Sequence, residues 1–221
     1  MNLLGIDASS QNISLSVMLE GKIKVDFNQR IDFGASELTV YIDKALKKLS
    51  LKISDFDAFV LGSGPGSFTG LRISFAVIKA FALTTRKPII ALDSLLSCAY
   101  PLREKYEKIA VICDARKNLI YFSSFTFKKG NFKKKSKVSL LSLKQLAKKK
   151  DHIFITYDSH LRKELQAAYP RIEVYSKDIY PKIKNLMHLA GDYYQRKKFT
   201  PLKRLEPLYI HPKTCQIRKK K

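Results

Sequence analysis

Gly62-Ser63-Gly64-Pro65-Gly66-Ser67-Phe68-Thr69-Gly70-Leu71-Arg72 separates two apolar segments of different period. Before it, residues 57–62 read as a short buried strand, Asp-Ala-Phe-Val-Leu-Gly. After it, the pattern predicts a helix from about Thr69 to Thr84. A strand, a glycine-rich loop and a helix in that order are the building unit of an α/β fold. The glycines permit positive φ and close approach of backbone. Ser67 or Thr69 can cap the helix, whose first amides can hold an anion. No Gly-Lys-Ser/Thr follows, so this is not a Walker-type phosphate loop. Pro65 and Phe68 break the dinucleotide-binding fingerprint. On these letters alone, a ligand or partner contact and a purely structural loop are equally supported.

The helix behind the loop carries Leu71, Ile73, Phe75–Ile78 and Ala80–Leu83, apolar residues around most of its circumference. An ordinary surface helix has one apolar stripe. Its own sheet can cover one side, leaving the other for a neighbouring helix or a second chain. The nearest candidate is residues 36–49, where Ser36 can cap and Leu38, Ile42, Ala45, Leu46 and Leu49 share a stripe.

Working outward, residues 2–8 are a short strand ending in Asp7-Ala8-Ser9-Ser10. Residues 13–20 alternate, with Ile13, Leu15, Val17 and Leu19 on one face, and 23–30 return as a third strand. Carboxyl ends of central strands gather ligands in α/β folds. Asp7 there can orient a metal-bound water and Ser9 can bond a phosphate. Equally, Asp and Ser close turns by bonding their own backbone. Residues 88–92 predict a strand and 94–100 a short helix.

The character changes at Pro101. Strands are predicted over 108–114, 119–127 and 152–156, with a weak one at 172–175. Helices are predicted over 142–149, 159–168 and 182–197. Residues 1–100 carry 11 Lys/Arg and 9 Asp/Glu, whereas residues 101–221 carry 31 and 10. The second half therefore suits a polyanion such as RNA, or is simply a solvated basic surface. Six Lys in residues 128–137 mark a basic hairpin or a guarded sheet edge. Cys113-Asp114-Ala115-Arg116 closes the first strand of this half. Asp114 is a weak ligand candidate and could pair Asp7 across a cleft, while Cys113 reads as a core residue. The organisation expected is a lobe at 1–101, a second α/β lobe at 102–181, a helix at 182–198 that can return to the first lobe, and an extended basic tail at 199–221.

Three widely spaced cysteines, Cys98, Cys113 and Cys215, make no disulfide framework, and four scattered histidines make no HExxH pair. No run of 18 apolar residues predicts a membrane span, and the first residues read as a strand rather than a signal segment. A cytoplasmic location is expected.

The chain resembles the bacterial TsaB proteins, also called YeaZ. The likeness rests on Gly5-Ile6-Asp7-Ala8-Ser9, on Gly64-Pro65-Gly66-Ser67-Phe68-Thr69-Gly70-Leu71-Arg72-Ile73, on Asp114-Ala115-Arg116 and on Pro207-Leu208-Tyr209. It implies a two-lobe actin-like ATPase (ASKHA, ribonuclease H-like) fold. It also implies a non-catalytic paralogue of TsaD that lacks the metal-binding histidine pair. Such a protein would support TsaD, together with TsaE and a TsaC or TsaC2-type enzyme supplying threonylcarbamoyl-adenylate. The product is threonylcarbamoyladenosine beside the anticodon of ANN-decoding tRNAs. No cofactor is implied for the chain itself, ATP being used by the wider complex. The resemblance implies a partner surface on the two helices and the loop, over Leu38, Ile42, Gly64, Pro65, Gly66, Ser67, Phe68, Thr69, Gly70, Leu71, Arg72, Phe75, Ile78 and Lys79. A similar surface would make homodimers when TsaD is absent. Ala8, Ala35-Ser36 and Ser74 depart from the family's usual Asp-Thr-Ser, His-Ser and Arg-Ile-Gly. The competing readings are a kinase-like ATPase, a glycoprotease-like hydrolase, or a tRNA-binding protein using its basic half.

Overall fold

Leu3-Leu4-Gly5-Ile6-Asp7 is buried along its whole length, which demands cover on both faces and partners on both edges. A computed structural model describes residues 1–30, 35–149 and 151–208. In it this segment is strand β1 (Leu3–Asp7), the middle of a five-stranded sheet. Antiparallel β2 (Asn12–Leu19) and β3 (Lys22–Arg30) extend one side. After helix α1 (Ala35–Leu49), β4 (Ala58–Gly62) pairs with β1 in parallel. After helix α2 (Phe68–Thr85), β5 (Ile89–Leu92) pairs with β4 in parallel, giving the order β3-β2-β1-β4-β5. The short helix α3 (Ser94–Ala99) follows. The side chains of Ala35 and Ser36 lie outside the described residues, and with them the cap expected of Ser36.

Strand parity sorts the two faces. Leu4, Ile6, Leu15, Val17, Phe59 and Leu61 pack beneath the two long helices, and Ile13 and Leu19 join that face as the alternation predicts. The other face carries Gly5, Ser14 and Met18, and residues 183–191 cover it. Gly5 faces Ile183 and Met187, and a side chain there would collide with both. Ile183 N donates to Ser14 Oγ at 2.9 Å, and Lys182 N donates to Ser97 Oγ at 3.1 Å. Met1–Ser97 and Pro181–Leu208 thus form one compact unit.

Cys98–Tyr180 form the second unit. Strand β6 (Lys108–Asp114) pairs antiparallel with β7 (Ile120–Lys128), which pairs antiparallel with β8 (Asn131–Lys135) and, further along, with β9 (Ser139–Leu141). After α4 (Leu143–Leu146), β10 (Ile153–Ile155) joins β6 in parallel. The helix α5 (Ser159–Ala168) follows, its N-terminus capped by Asp158. Each unit therefore starts with an antiparallel meander whose first strand then takes a parallel partner on its other edge. Ala110, Ile112, Phe122 and Phe154 pack beneath Leu146, Leu161 and Leu165.

Some elements differ from expectation. Residues 172–175 make only one bridge, Phe154 to Val174, rather than a strand. The helix expected over 142–149 ends at Leu146, ahead of the lysines 148–150. The last helix opens as a tight 3₁₀ turn, Ile183–Leu186, before α6 (Met187–Gln195). The 3₁₀ start lets the backbone reach Ser14 and Ser97. Residues 209–221, including Tyr209, Cys215 and the basic end of the tail, lie outside the described residues.

Candidate functional site

Parallel pairing of β1 and β4, with Ile6 opposite Leu61, ends both strands on one edge. That brings Asp7-Ala8-Ser9 against the glycine loop. Ser67 N donates to Ser9 O at 2.6 Å. Side chains on Gly66 and Gly70 would overlap the carbonyl oxygens of Ser9 and Ala8, so both must be glycine for the loop to lie this close. On its other side Gly64 N donates to Ser94 Oγ at 2.9 Å, and Ser63 N donates to Leu92 O at 2.8 Å. The Gly64–Pro65 peptide is cis. Ser67 Oγ caps α2 by accepting from Gly70 N at 3.2 Å, and Leu71 N donates to Ser67 O at 2.9 Å. The amides of Ser67, Gly70 and Leu71 are thus already bonded within the chain. The loop ties the start of α2 to the end of β1.

Asp7 is 1% exposed and its side chain lies over Gly62. Its Oδ1 accepts from Ser9 N at 2.8 Å. Its Oδ2 and the Ser9 hydroxyl make no hydrogen bond of good geometry among the described residues. Burial pushes the Asp7 carboxyl above the usual carboxylate range. Hydrogen-bonding groups of Ser9 and Ser94 close by oppose the shift, and the nearby charge of Asp93 adds to it. Burial thus disfavours the charged form of this carboxyl. Among the described residues no three His, Cys, Asp or Glu side chains gather where they could hold a metal.

In the second unit Asp114 pairs locally. Its Oδ1 accepts from Arg116 N at 2.7 Å and its Oδ2 lies 3.3 Å from Arg116 Nη1. It borders a cleft of about 740 Å³ together with Arg116, Lys144, His160 and Glu164. Asp7 belongs to the first unit, so the two carboxylates sit in separate units. Cys113 is buried at 1% exposure, as a core cysteine is.

Helix α2 resolves into two faces. Leu71, Ser74, Phe75, Ile78 and Ala82 are buried. Ile73, Val77 and Phe81 line the flanks against the same core. Although the helix has the length and composition to cross a bilayer, its inner face is thus committed to the sheet. The outer face runs through Phe68, Arg72, Ala76, Ala80 and Leu83, all exposed at three- or four-residue spacing. Phe68 is 48% and Leu83 63% exposed. The Arg72 guanidinium sits 3.7 Å from the centre of the Phe68 ring, holding that ring at the surface. On the neighbouring α1, Val40 is also exposed.

This sorts the expected partner residues. Leu38, Ile42, Leu71, Phe75 and Ile78 are wholly committed to the first unit's own core, so none offers a surface. Gly64 and Pro65 are buried, and Gly66, Ser67 and Gly70 are half-buried in the loop. Phe68, Thr69 and Arg72 face outward, with Lys79 half-buried at the edge. Ala76 and Leu83 join them. The letters alone do not mark them, because the buried Phe75 lies nearer to Phe68 around the helix than either does.

Comparison with known proteins bears on this arrangement. A family model described as TsaD, tRNA N6-adenosine threonylcarbamoyltransferase, matches residues 35–187, more than half of the chain. The chain belongs to the TsaD family, in its TsaB/YeaZ branch. It is 26% identical over 171 residues to the tRNA threonylcarbamoyladenosine biosynthesis protein TsaB of Bacillus subtilis, covering 75% of each chain. It is 29% identical over 126 residues to the TsaB of Haemophilus influenzae, covering 56% of this chain. That match spans only 53% of the Haemophilus protein, about half its length. YeaZ from Pseudomonas aeruginosa superposes with a TM-score of 0.80 at 22% identity, covering 94% of this chain and 100% of the other. The chain thus shares the YeaZ fold, an α/β fold of mixed sheets flanked by helices, with the sheet order described above.

Proposed function

We propose that this TsaB-type chain is a non-catalytic partner subunit that binds TsaD and, with TsaE, supports installation of threonylcarbamoyl on the adenosine beside the anticodon of ANN-decoding tRNAs. The observation that carries the reading is the outer face of α2. A helix anchored at both ends of its inner face presents Phe68, Ala76, Ala80 and Leu83 to solvent. Rigid apolar surface of this kind loses little conformational freedom when covered, so its burial favours association. The glycine loop fixes where that face points, because Ser67 N and Ser67 Oγ hold the start of the helix to β1 and to itself.

The resemblance of the chain to TsaB proteins supports TsaD as the occupant, and a second copy of the chain would use the same face when TsaD is absent. In this role Asp7 and Ser9 serve the loop rather than a substrate, the transfer chemistry and ATP use belong to other subunits, and the protein works in the cytoplasm. The test is a reconstituted modification reaction with TsaD, TsaE, a TsaC-type enzyme, ATP and unmodified tRNA. Omitting the chain should abolish product, and the chain alone should make none. Threonylcarbamoyl transfer or metal-dependent ATP turnover by the chain alone would reject the reading.

A further inference from the structure

We propose that the β7–β8 hairpin of the second unit is a phosphate-backbone contact for RNA, with Lys133, Lys134 and Lys135 at its centre. Residues 115–150 contain twelve Lys/Arg and no Asp or Glu. Five of those cations, Lys128, Lys129, Lys133, Lys134 and Lys135, fall on the hairpin, Lys137 follows just beyond it, and all six are exposed. Glu104 lies against the turn at Gly130, and it is 3.7 Å from Arg103 Nε. Like charges this close lie within one screening length of about 8 Å and repel. A polyanion relieves that repulsion while releasing its own counterions.

The scaffold under the charge is stiff. β8 pairs with β7 through Lys135 opposite Phe125, Lys134 opposite Thr126 and Phe132 opposite Phe127. Phe132 packs its ring 6.5 Å from Phe125 and 6.0 Å from Phe127, centre to centre. The turn is Lys129-Gly130, both left-handed at φ 50° and 70°. Asn suits the first of these positions better than Lys, since a left-handed non-glycine residue costs about 1–2 kcal/mol. The tip nonetheless carries one more cation. Lysines guard sheet edges, but this hairpin holds five, with a sixth just beyond it.

An anionic membrane is the other polyanionic surface such lysines suit. A peripheral membrane segment combines basic residues with exposed apolar anchors. The large exposed apolar side chains among the described residues, Val40, Phe68, Leu83, Phe199, Leu202 and Leu208, all lie in the first unit and none is on the hairpin. RNA therefore fits better. Naming that RNA as tRNA rests on the proposed function.

The test compares the full chain with its Lys133→Gln/Lys134→Gln/Lys135→Gln variant in binding unmodified tRNA between 50 and 200 mM salt. A charge-retaining Lys133→Arg/Lys134→Arg/Lys135→Arg variant is the control. With each phosphate contact contributing about 0.7–0.9 to the slope of log affinity against log salt, losing three should flatten it by about 2–3. The Arg variant should keep the wild-type slope. If the Gln variant fails to melt like the wild type, Lys128→Gln/Lys137→Gln replaces it, with an expected flattening of about 1–2. Equal slopes and affinities for wild type and the folded Gln variant overturn the proposal. So does lysine-dependent binding to phosphatidylserine vesicles in preference to tRNA. Association with TsaD is measured on the same samples. Loss of tRNA binding with TsaD association intact supports the hairpin contact. Lysine-dependent RNA binding without TsaD association upholds the hairpin and rejects the proposed function instead.

Discussion

Placing a carboxylate at Leu83 should separate this protein from TsaD without unfolding it. Leu83 is 63% exposed, and fully burying a Leu side chain is worth about 1.5–3 kcal/mol. Covering the exposed part of Leu83 at an interface therefore contributes about 1–2 kcal/mol. Leu83→Glu removes that contribution and adds the desolvation of an unpaired charge, which costs at least as much again. A combined loss of about 3 kcal/mol corresponds to roughly a hundredfold weaker association, at 1.4 kcal/mol per decade. The exposed site should change the chain's own stability by no more than about 0.5 kcal/mol. The assay is titration calorimetry with TsaD, beside thermal melts of the free chain. Ile78→Glu is the contrasting variant. Ile78 is fully buried, so its charge should unfold the first unit and lose binding for that trivial reason. A folded Leu83→Glu chain that binds TsaD within threefold of wild type would refute the reasoning.

Three further predictions concern the loop and its supports. Gly70→Ala would press a methyl into the Ala8 carbonyl and should destabilise the chain by about 1–3 kcal/mol in denaturant titrations; an unchanged midpoint would mean that the loop does not lie against β1. Because burial raises the Asp7 carboxyl, its contribution to stability is complete below the unfolded value near about 4 and is lost as pH rises through the folded value. Melting temperatures of the wild type should therefore fall relative to Asp7→Asn as pH rises from about 4, and parallel profiles would show that burial does not raise the Asp7 carboxyl. Ser14→Ala strips the acceptor from the buried Ile183 amide and should cost about 1–3 kcal/mol, read as a lower melting temperature; no change would mean the amide has another partner.

Much of the first unit was legible because its letters agree at every level. Alternation across 13–20 gave the core face of β2, and the loop between an apolar strand and an apolar helix gave the β4–α2 crossover. The two-faced nature of α2 could be suspected from its composition, but which face was outer depended on where the sheet lay. Ile78 and Ala80 looked equivalent as letters, and the structure buries one and exposes the other. The joining of Asp7-Ala8-Ser9 to the glycine loop depends on the parallel register of β1 and β4, a long-range pairing that no local pattern reports. The roles of Gly66 and Gly70 follow from that closeness. In the second unit the β7–β8 hairpin showed itself through its lysines, whereas β9 is only three residues long and too short for a period to register.

The central claim is that the outer face of α2 meets a second protein. A photo-crosslinking amino acid placed at Leu83, in the presence of excess TsaD and with a control at the exposed Gln166 of α5, tests it most directly. The expected result is a covalent adduct with TsaD from position 83 and none from position 166. Adducts from position 166 alone, or from neither position while the two proteins still co-purify, would place the contact elsewhere and contradict the account.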